Sequence, residues 1–306
     1  KKRFDTLKIA VNEENRRSYR DMLVSAESLS KYISGAILFD ETIRQKTNNG
    51  STFPEFLNNK GIMPGIKVDT GAKDFSCHAN EKITEGLDNL SQRMEDYKSI
   101  GAKFAKWRAV ITIGEKIPSL ACMVSNSHAL ARYASICQEV DIVPIVEPEV
   151  LMDGSHDIKK CFEVTNEMQS TLFEELDKLN IINSGIILKP NMVTPGSTCE
   201  KKASAEEIAE STVMCLGNNI PKDVPGIAFL SGGQSDQDAS NNLNFINKIN
   251  DNPWKLTFSY GRALQLEAMK KWQGNNDNKE EAQKILSKRA YLNSLAASGN
   301  YDLEME

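Results

Sequence analysis

Phe104-Ala105-Lys106-Trp107-Arg108-Ala109-Val110-Ile111 decides the fold. It is a short apolar run interrupted at alternate positions by two cations, Lys106 and Arg108. Downstream, Leu130, Tyr133, Ala134 and Cys137 recur at helical spacing. A second apolar, β-branched run then opens at Ile142 and extends to Glu147. Strand, helix and strand in that order make a βαβ unit, in which the two strands lie parallel.

The same alternation continues in both directions. Strands are expected at Gly35 to Phe39 and Gly65 to Asp69 upstream. Downstream they are expected at Gly185 to Pro190, Gly226 to Gly233 and Lys255 to Gly261. Leu87, Leu90, Met94 and Tyr97 make one helical stripe, and Val164, Met168, Leu172, Leu176 and Leu179 another. Ser204 and Glu207 have the spacing of a capping box, and Asp236 is expected to be an N-cap. Parallel strands joined by crossover helices give an α/β fold with both sheet faces covered. Seven strands suit an open doubly wound sheet, whereas a closed (β/α)8 TIM barrel needs eight. The chain opens Lys1-Lys2-Arg3-Phe4 without a methionine, which favours the barrel with its first strand upstream. No Pro/Gly/Ser-rich linker divides the chain, so residues 1–306 are expected to form a single domain.

Composition narrows the function. With 40% hydrophobic and 26% charged residues over 306 positions, the chain is no disordered segment, collagen or disulfide-stapled miniprotein. A net charge of −5 argues against a nucleic-acid partner, yet 37 Lys and Arg can still build a local anion pocket. No apolar run approaches the ~20 residues of a membrane span, and no secretory signal opens the chain. Cys77, Cys122, Cys137, Cys161, Cys199 and Cys215 contain no Cys-x-x-Cys pair and read as reduced thiols of a cytoplasmic protein. His78, His128 and His156 form no ligand pair, so no metal and no cofactor is expected. The chemistry falls to lysines and carboxylates.

Those residues gather where the strands end. Lys67 and Asp69, Lys106 and Arg108, Glu147 and Glu149, and Lys189 occupy four successive strand ends. In a parallel barrel these ends open on one face, where active sites sit. Residues two apart on a strand share a face, so Lys106 and Arg108 enter one small space, and Glu147 and Glu149 can balance them. Lys189 follows the apolar Ile186-Ile187-Leu188. Desolvation beside other cations should lower its pKa and make it a nucleophile toward a carbonyl. The last two strands carry Ser231-Gly232-Gly233 and Ser259-Tyr260-Gly261-Arg262. Small residues admit an anion to backbone N–H groups, and the helix that Gly261-Arg262 opens adds its dipole, which points to a phosphorylated substrate.

Longer strings carry a resemblance. Gly65-Ile66-Lys67-Val68-Asp69, Phe104-Ala105-Lys106-Trp107-Arg108 and Ile142-Val143-Pro144-Ile145-Val146-Glu147-Pro148-Glu149 are similar to class I fructose-bisphosphate aldolase. So are Leu188-Lys189-Pro190-Asn191-Met192-Val193-Thr194-Pro195-Gly196, Phe229-Leu230-Ser231-Gly232-Gly233-Gln234-Ser235 and Phe258-Ser259-Tyr260-Gly261-Arg262-Ala263-Leu264-Gln265. The resemblance implies a TIM barrel that reversibly cleaves fructose 1,6-bisphosphate to dihydroxyacetone phosphate and glyceraldehyde 3-phosphate. It implies Lys189 as the Schiff-base lysine, Glu147 as the general acid/base, and Lys106 and Glu149 as charged partners of that lysine. Ser231, Gly232, Gly233, Ser259, Gly261 and Arg262 match phosphate-binding positions, and Lys67, Arg108 and Arg3 match further substrate-contacting cations. A second phosphate subsite is expected around Lys67 and Arg3. The family's acidic first-strand segment and its C-terminal tail ending in a tyrosine have no counterpart in these residues, and both are expected to exist outside them.

A transaldolase-like lyase with the same lysine but another sugar is the alternative within the enzyme class. The family also implies a homotetramer. Binding of actin or of acidic adhesin tails is a second role of another class, for which a basic barrel mouth would serve.

Overall fold

The computed structural model describes residues 2–306. Among the described residues, nine strands form two sheets. They are β1 (Gly35–Leu38), β2 (Met63–Lys67), β3 (Gly71–Asp74), β4 (Lys82–Glu85), β5 (Phe104–Ile111), β6 (Val143–Val150), β7 (Ile187–Leu188), β8 (Gly226–Phe229) and β9 (Lys255–Phe258). Seven of them make a curled parallel sheet in the order β1-β2-β5-β6-β7-β8-β9. The sheet is a half-barrel with β1 and β9 at its edges.

Register decides which side chains face inward. Trp107 of β5 is fully buried and stacks on Tyr133 of the helix Leu120–Glu139, with ring centroids 5.7 Å apart. Its neighbours Lys106 and Arg108 therefore face away from the helices, into the barrel. Parallel pairing carries that face around the sheet, because Lys67 lies opposite Lys106 and Arg108 opposite Glu147. The helices that cover the outside start where the chain supplies caps. Ser119 accepts from Cys122 N at 3.1 Å and Asp157 from Lys160 N at 2.8 Å. Such a cap is worth ~1 kcal/mol.

The capping box at Ser204 and Glu207 forms both of its hydrogen bonds. At the next helix the cap is Ser235, which accepts from Asp238 N, and Asp236 is the first helical residue instead of the N-cap. Several strands end earlier than their apolar runs suggest. β8 stops at Phe229 because Gly232, with φ +55°, cannot continue a strand. β7 has two residues, although Lys189 N extends the ladder by donating to Val146 O at 2.8 Å. The antiparallel hairpin β3–β4 was not expected at all. Its polar, four-residue strands show little alternation, and tertiary bonds hold them: Asn126 Nδ2 donates to Lys82 O at 2.9 Å and Thr84 Oγ1 to Arg108 O at 2.8 Å.

A second, smaller core forms where the first residues meet the helix Arg262–Trp272 and the start of the helix Lys279–Ala296. Phe4, Ile9, Tyr19 and Met22 pack on Met269, Trp272 and Ala282. Phe4 meets Tyr19 edge-on at 5.7 Å, and Tyr19 lies 5.5 Å from Trp272. This packing brings the N-terminal residues to the helix Arg262–Trp272.

Candidate active site

From the end of β2, across the inner face of β5 and β6, to the residue after β7, cations and carboxylates alternate; Lys106 and Glu147 lie inside their strands and not at the expected strand ends. Lys67 Nζ lies 2.5 Å from Asp69 Oδ1, and Asp69 Oδ2 lies 3.6 Å from Lys106 Nζ. Lys106 Nζ lies 3.0 Å from Glu147 Oε2, and Glu147 Oε1 lies 3.0 Å from Lys189 Nζ. Lys106, Glu147 and Lys189 are 6%, 3% and 8% exposed. Single charges at such depth would cost several kcal/mol each, so the alternation is what allows them to be there.

Glu147 is the centre of this chain. Burial favours its neutral form, but Lys106 and Lys189 outweigh burial and hold the carboxyl below the usual range. Its Oε2 is fully buried, with the Lys106 ammonium 3.0 Å away as its partner. The Lys189 pKa is lowered too, which for an amine favours the neutral form. Burial lowers its pKa, Glu147 opposes that, and Lys106 adds to it. The result is an amine easier to deprotonate than an ordinary lysine, which is what attack on a carbonyl needs.

A pH prediction follows from these directions. Lys106→Met removes a repulsion that depresses Lys189, so the Lys189 pKa should rise and more of the amine should be protonated at neutral pH. The pH profile of Lys189 labelling by an amine-reactive reagent should move to higher pH in the variant. A profile that stays in place or moves lower would show that Lys106 does not tune Lys189.

Glu149 pairs with Arg108, whose Nε lies 2.5 Å from Glu149 Oε2, and its charge also acts on Lys189, favouring the protonated amine. The register explains this, since Glu149 sits one step further along β6 than Glu147, level with Val110 and beside the long Arg108 side chain. Asp69 is the residue that sequence reasoning missed. It appeared there only as a polar strand end, yet its side chain is buried, joins Lys67 to Lys106 and accepts from Arg108 N at 3.3 Å. Its spacing of two from Lys67 was the available signal.

The turn after Lys189 is tightly held. Asn191 Oδ1 accepts from Val150 N at 2.9 Å, and Asn191 Nδ2 donates to Thr165 Oγ1 at 3.1 Å. The loops following β6 and β7 are joined by Gly196 N to His156 O at 2.8 Å and Ser197 N to Met152 O at 2.7 Å. A Cβ on Gly196 would stand 2.2 Å from the Gly154 carbonyl oxygen, so this junction requires glycine at 196.

On the far side of the mouth, Ser231, Gly232 and Gly233 form the turn after β8, and Ser259 and Gly261 follow β9. Arg262 Nη2 donates to Gly232 O at 2.5 Å, tying the two loops together. Arg262 is also the first residue of the helix Arg262–Trp272, with Gly261 as its cap. Arg3 lies here too, 3.6 Å from where a Gly261 Cβ would be. It stands with Arg262, while Lys67 pairs with Asp69. The aromatic packing of Phe4 draws Arg3 to this place. Burial lowers the Arg3 pKa, Tyr19 opposes that, and repulsion from Arg262 adds to it. Two guanidiniums, glycine turns and a helix N-terminus make a site suited to an anion. Among the described residues, no group of three or more His, Cys, Asp or Glu side chains could hold a metal ion.

Comparison with known proteins places this arrangement. The family model "Fructose-bisphosphate aldolase class-I" matches residues 1–306. The chain is 54% identical to a probable fructose-bisphosphate aldolase class 1 of Xanthomonas axonopodis pv. citri, covering 98% of this chain and 90% of that protein. It is 50% identical to fructose-bisphosphate aldolase 1 of Toxoplasma gondii, covering 98% and 84%. A Plasmodium falciparum fructose-bisphosphate aldolase, solved in complex with TRAP and a small-molecule inhibitor, superposes with a TM-score of 0.96 at 46% identity, covering 98% and 87%.

Proposed function

Because the chain belongs to the class I fructose-bisphosphate aldolase family and shares its TIM-barrel fold, we propose that it cleaves its sugar bisphosphate through an imine on Lys189. The family activity is aldehyde lyase chemistry on fructose 1,6-bisphosphate, giving dihydroxyacetone phosphate and glyceraldehyde 3-phosphate. The neutral Lys189 amine attacks the ketone carbon, and Glu147 transfers the protons that release water from the carbinolamine. The protonated imine then draws the electron pair of the breaking carbon–carbon bond to give an enamine, while Glu147, a carboxylate again after water has left, takes the hydroxyl proton of the departing aldehyde. Burial first, and Lys106 as well, lower the Lys189 pKa and ease its deprotonation before attack, and Asp69 and Lys67 extend the charge alternation outward. Arg108, held by Glu149, Lys67, and the phosphate loops with Ser231, Gly232, Gly233, Ser259, Gly261, Arg262 and Arg3 hold the substrate.

One observation carries this reading. A buried, deprotonation-prone lysine stands 3.0 Å from a buried carboxylate. Borohydride reduction with dihydroxyacetone phosphate should trap an adduct on the peptide containing Lys189. An adduct on Lys106 instead would sink the assignment.

Arg262 is proposed to read one of the two phosphates. Arg262→Ala should remove a charge-assisted contact worth ~1.5–3 kcal/mol, a loss of roughly 10- to 100-fold in kcat/KM for the bisphosphate. A monophosphate lacking that group should lose less. Equal losses on both substrates would assign Arg262 elsewhere.

The chain is read as one domain because a continuous buried cluster runs from Val24 to Tyr301. A homotetramer and a cytoplasmic location are part of the same proposal and rest on the family. Among the described residues no helix is long and apolar enough to cross a membrane. A second role in binding an adhesin tail draws support from the Plasmodium falciparum relative, whose structure is a complex with TRAP. The cationic mouth would attract an acidic peptide in the same way.

A further inference from the structure

Arg289 lies on the helix Lys279–Ala296, and its side chain is 11% exposed. Its guanidinium grips both oxygens of Glu306, with Nη1 donating to Oε1 at 2.9 Å and Nη2 to Oε2. Glu306 is held from behind, because Tyr301 Oη donates to its Oε1 at 2.6 Å. Tyr301 is itself buried, and its N–H donates to Asn244 Oδ1 at 3.0 Å.

The other side of Arg289 reaches the first turn of the helix Asp236–Ile249. Nη1 donates to Ser240 Oγ at 3.3 Å and to the Asp236 carbonyl at 3.5 Å, and Nε lies 3.7 Å from the Asp236 carboxylate. That turn supports the glycine loop after β8. Ser235 caps it, and Asn242 Nδ2 donates to Gln234 Oε1 at 2.7 Å, fixing the loop residue next to Gly233. Tyr260, two residues before Arg262, donates to Ala239 O at 2.8 Å. A cleft lined by Asp236, Arg262, Leu264, Glu267, Lys288 and Arg289 joins the two arginines.

We propose that Arg289 is a positioning residue for the phosphate site: clamped by Glu306, it fixes the first turn of the helix Asp236–Ile249 and thereby the Ser231–Ser235 loop that receives the anion. The inference rests on the reading of that loop and Arg262 as a phosphate site. It gives Glu306, more than forty residues beyond Arg262 in the chain, a role in affinity without touching substrate.

Inorganic phosphate as a competitive inhibitor tests this directly. Arg289→Met should raise its inhibition constant about five- to tenfold, the scale on which members of one hydrogen-bond network couple. KM should rise with it, while kcat stays within about twofold. Arg289→Lys keeps the charge but not the fork and should recover part of the loss. Glu306→Gln should raise the inhibition constant about threefold, and it decides the matter if Arg289→Met does not fold. An inhibition constant unchanged in Arg289→Met, or in Glu306→Gln where that variant decides, overturns the proposal whatever happens to the melting temperature. So does an Arg289→Lys variant no better than Arg289→Met. Arg262→Ala separates the two readings. If it leaves phosphate inhibition untouched, the phosphate-site reading fails and the positioning role with it. If it weakens inhibition and the Arg289 and Glu306 variants do not, the positioning role alone fails.

Discussion

Lys189→Met is expected to lower kcat on the order of 10⁶-fold, the scale on which loss of a covalent nucleophile registers. Borohydride trapping should disappear with it. The variant should nevertheless fold as well as the parent. The Lys189 pKa is depressed in the folded protein by burial first and by Lys106 as well. A lysine whose folded pKa lies below its unfolded one binds fewer protons when folded, so at neutral pH its charge opposes folding. Methionine removes that opposition while filling a similar volume. Thermal melting of the variant within a few degrees of the parent or above it is the expected result. A large drop would mean that the Lys189–Glu147 pair stabilises the fold more than burial penalises it.

Glu147→Gln should have the second largest effect, on activity and stability together. Loss of a positioned acid and base costs typically 10²–10⁴-fold in rate. The structural loss is separate. Glutamine leaves two buried ammonium groups, each 3.0 Å from the former carboxylate, without their shared counter-ion. Breaking a buried pair from one side costs roughly 3–5 kcal/mol. Because the Glu147 pKa is lowered on folding, its contribution is fully present above the ordinary carboxylate range and is lost as pH falls through the depressed value. The stability gap between parent and variant should therefore be widest near neutrality and narrow below about pH 4. Urea unfolding at the two pH values checks this, and a gap independent of pH would contradict it.

Much of this site could be read from one-dimensional spacing, and the exceptions share a cause. β5 occupies Phe104–Ile111, as its apolar run indicates, because six buried residues among eight in the middle of a parallel sheet leave little ambiguity. The facing of Lys106, Glu147 and Lys189 follows from a period of two plus parallel pairing. Which carboxylate meets which cation does not follow. Arg108 lies level with Glu147 in the pairing yet its guanidinium meets Glu149, a choice made by the reach of the side chain and not by residue spacing. Arg3 was equally hidden. Its place beside Arg262 depends on Phe4 and Tyr19 packing against Trp272 from the opposite end of the chain. The hairpin β3–β4 owes its form to bonds with Asn126 and Arg108 more than to the propensities of its own residues.

The close approach of Gly196 to the Gly154 carbonyl sets the route by which such a mouth can diverge among descendants. Any side chain at 196 must displace the backbone of the neighbouring loop, since even a methyl group would sit 2.2 Å from that oxygen. The loops after β6 and β7 are thus inherited as one piece, and a change of length in either is viable only with a matching change in the other. The turns after β8 and β9 meet through the Arg262 side chain, whose flexible stem can follow a shifted partner. New substrate preferences should accordingly arise on the phosphate side of the barrel, while the side bearing Lys189 and Glu147 stays as it is.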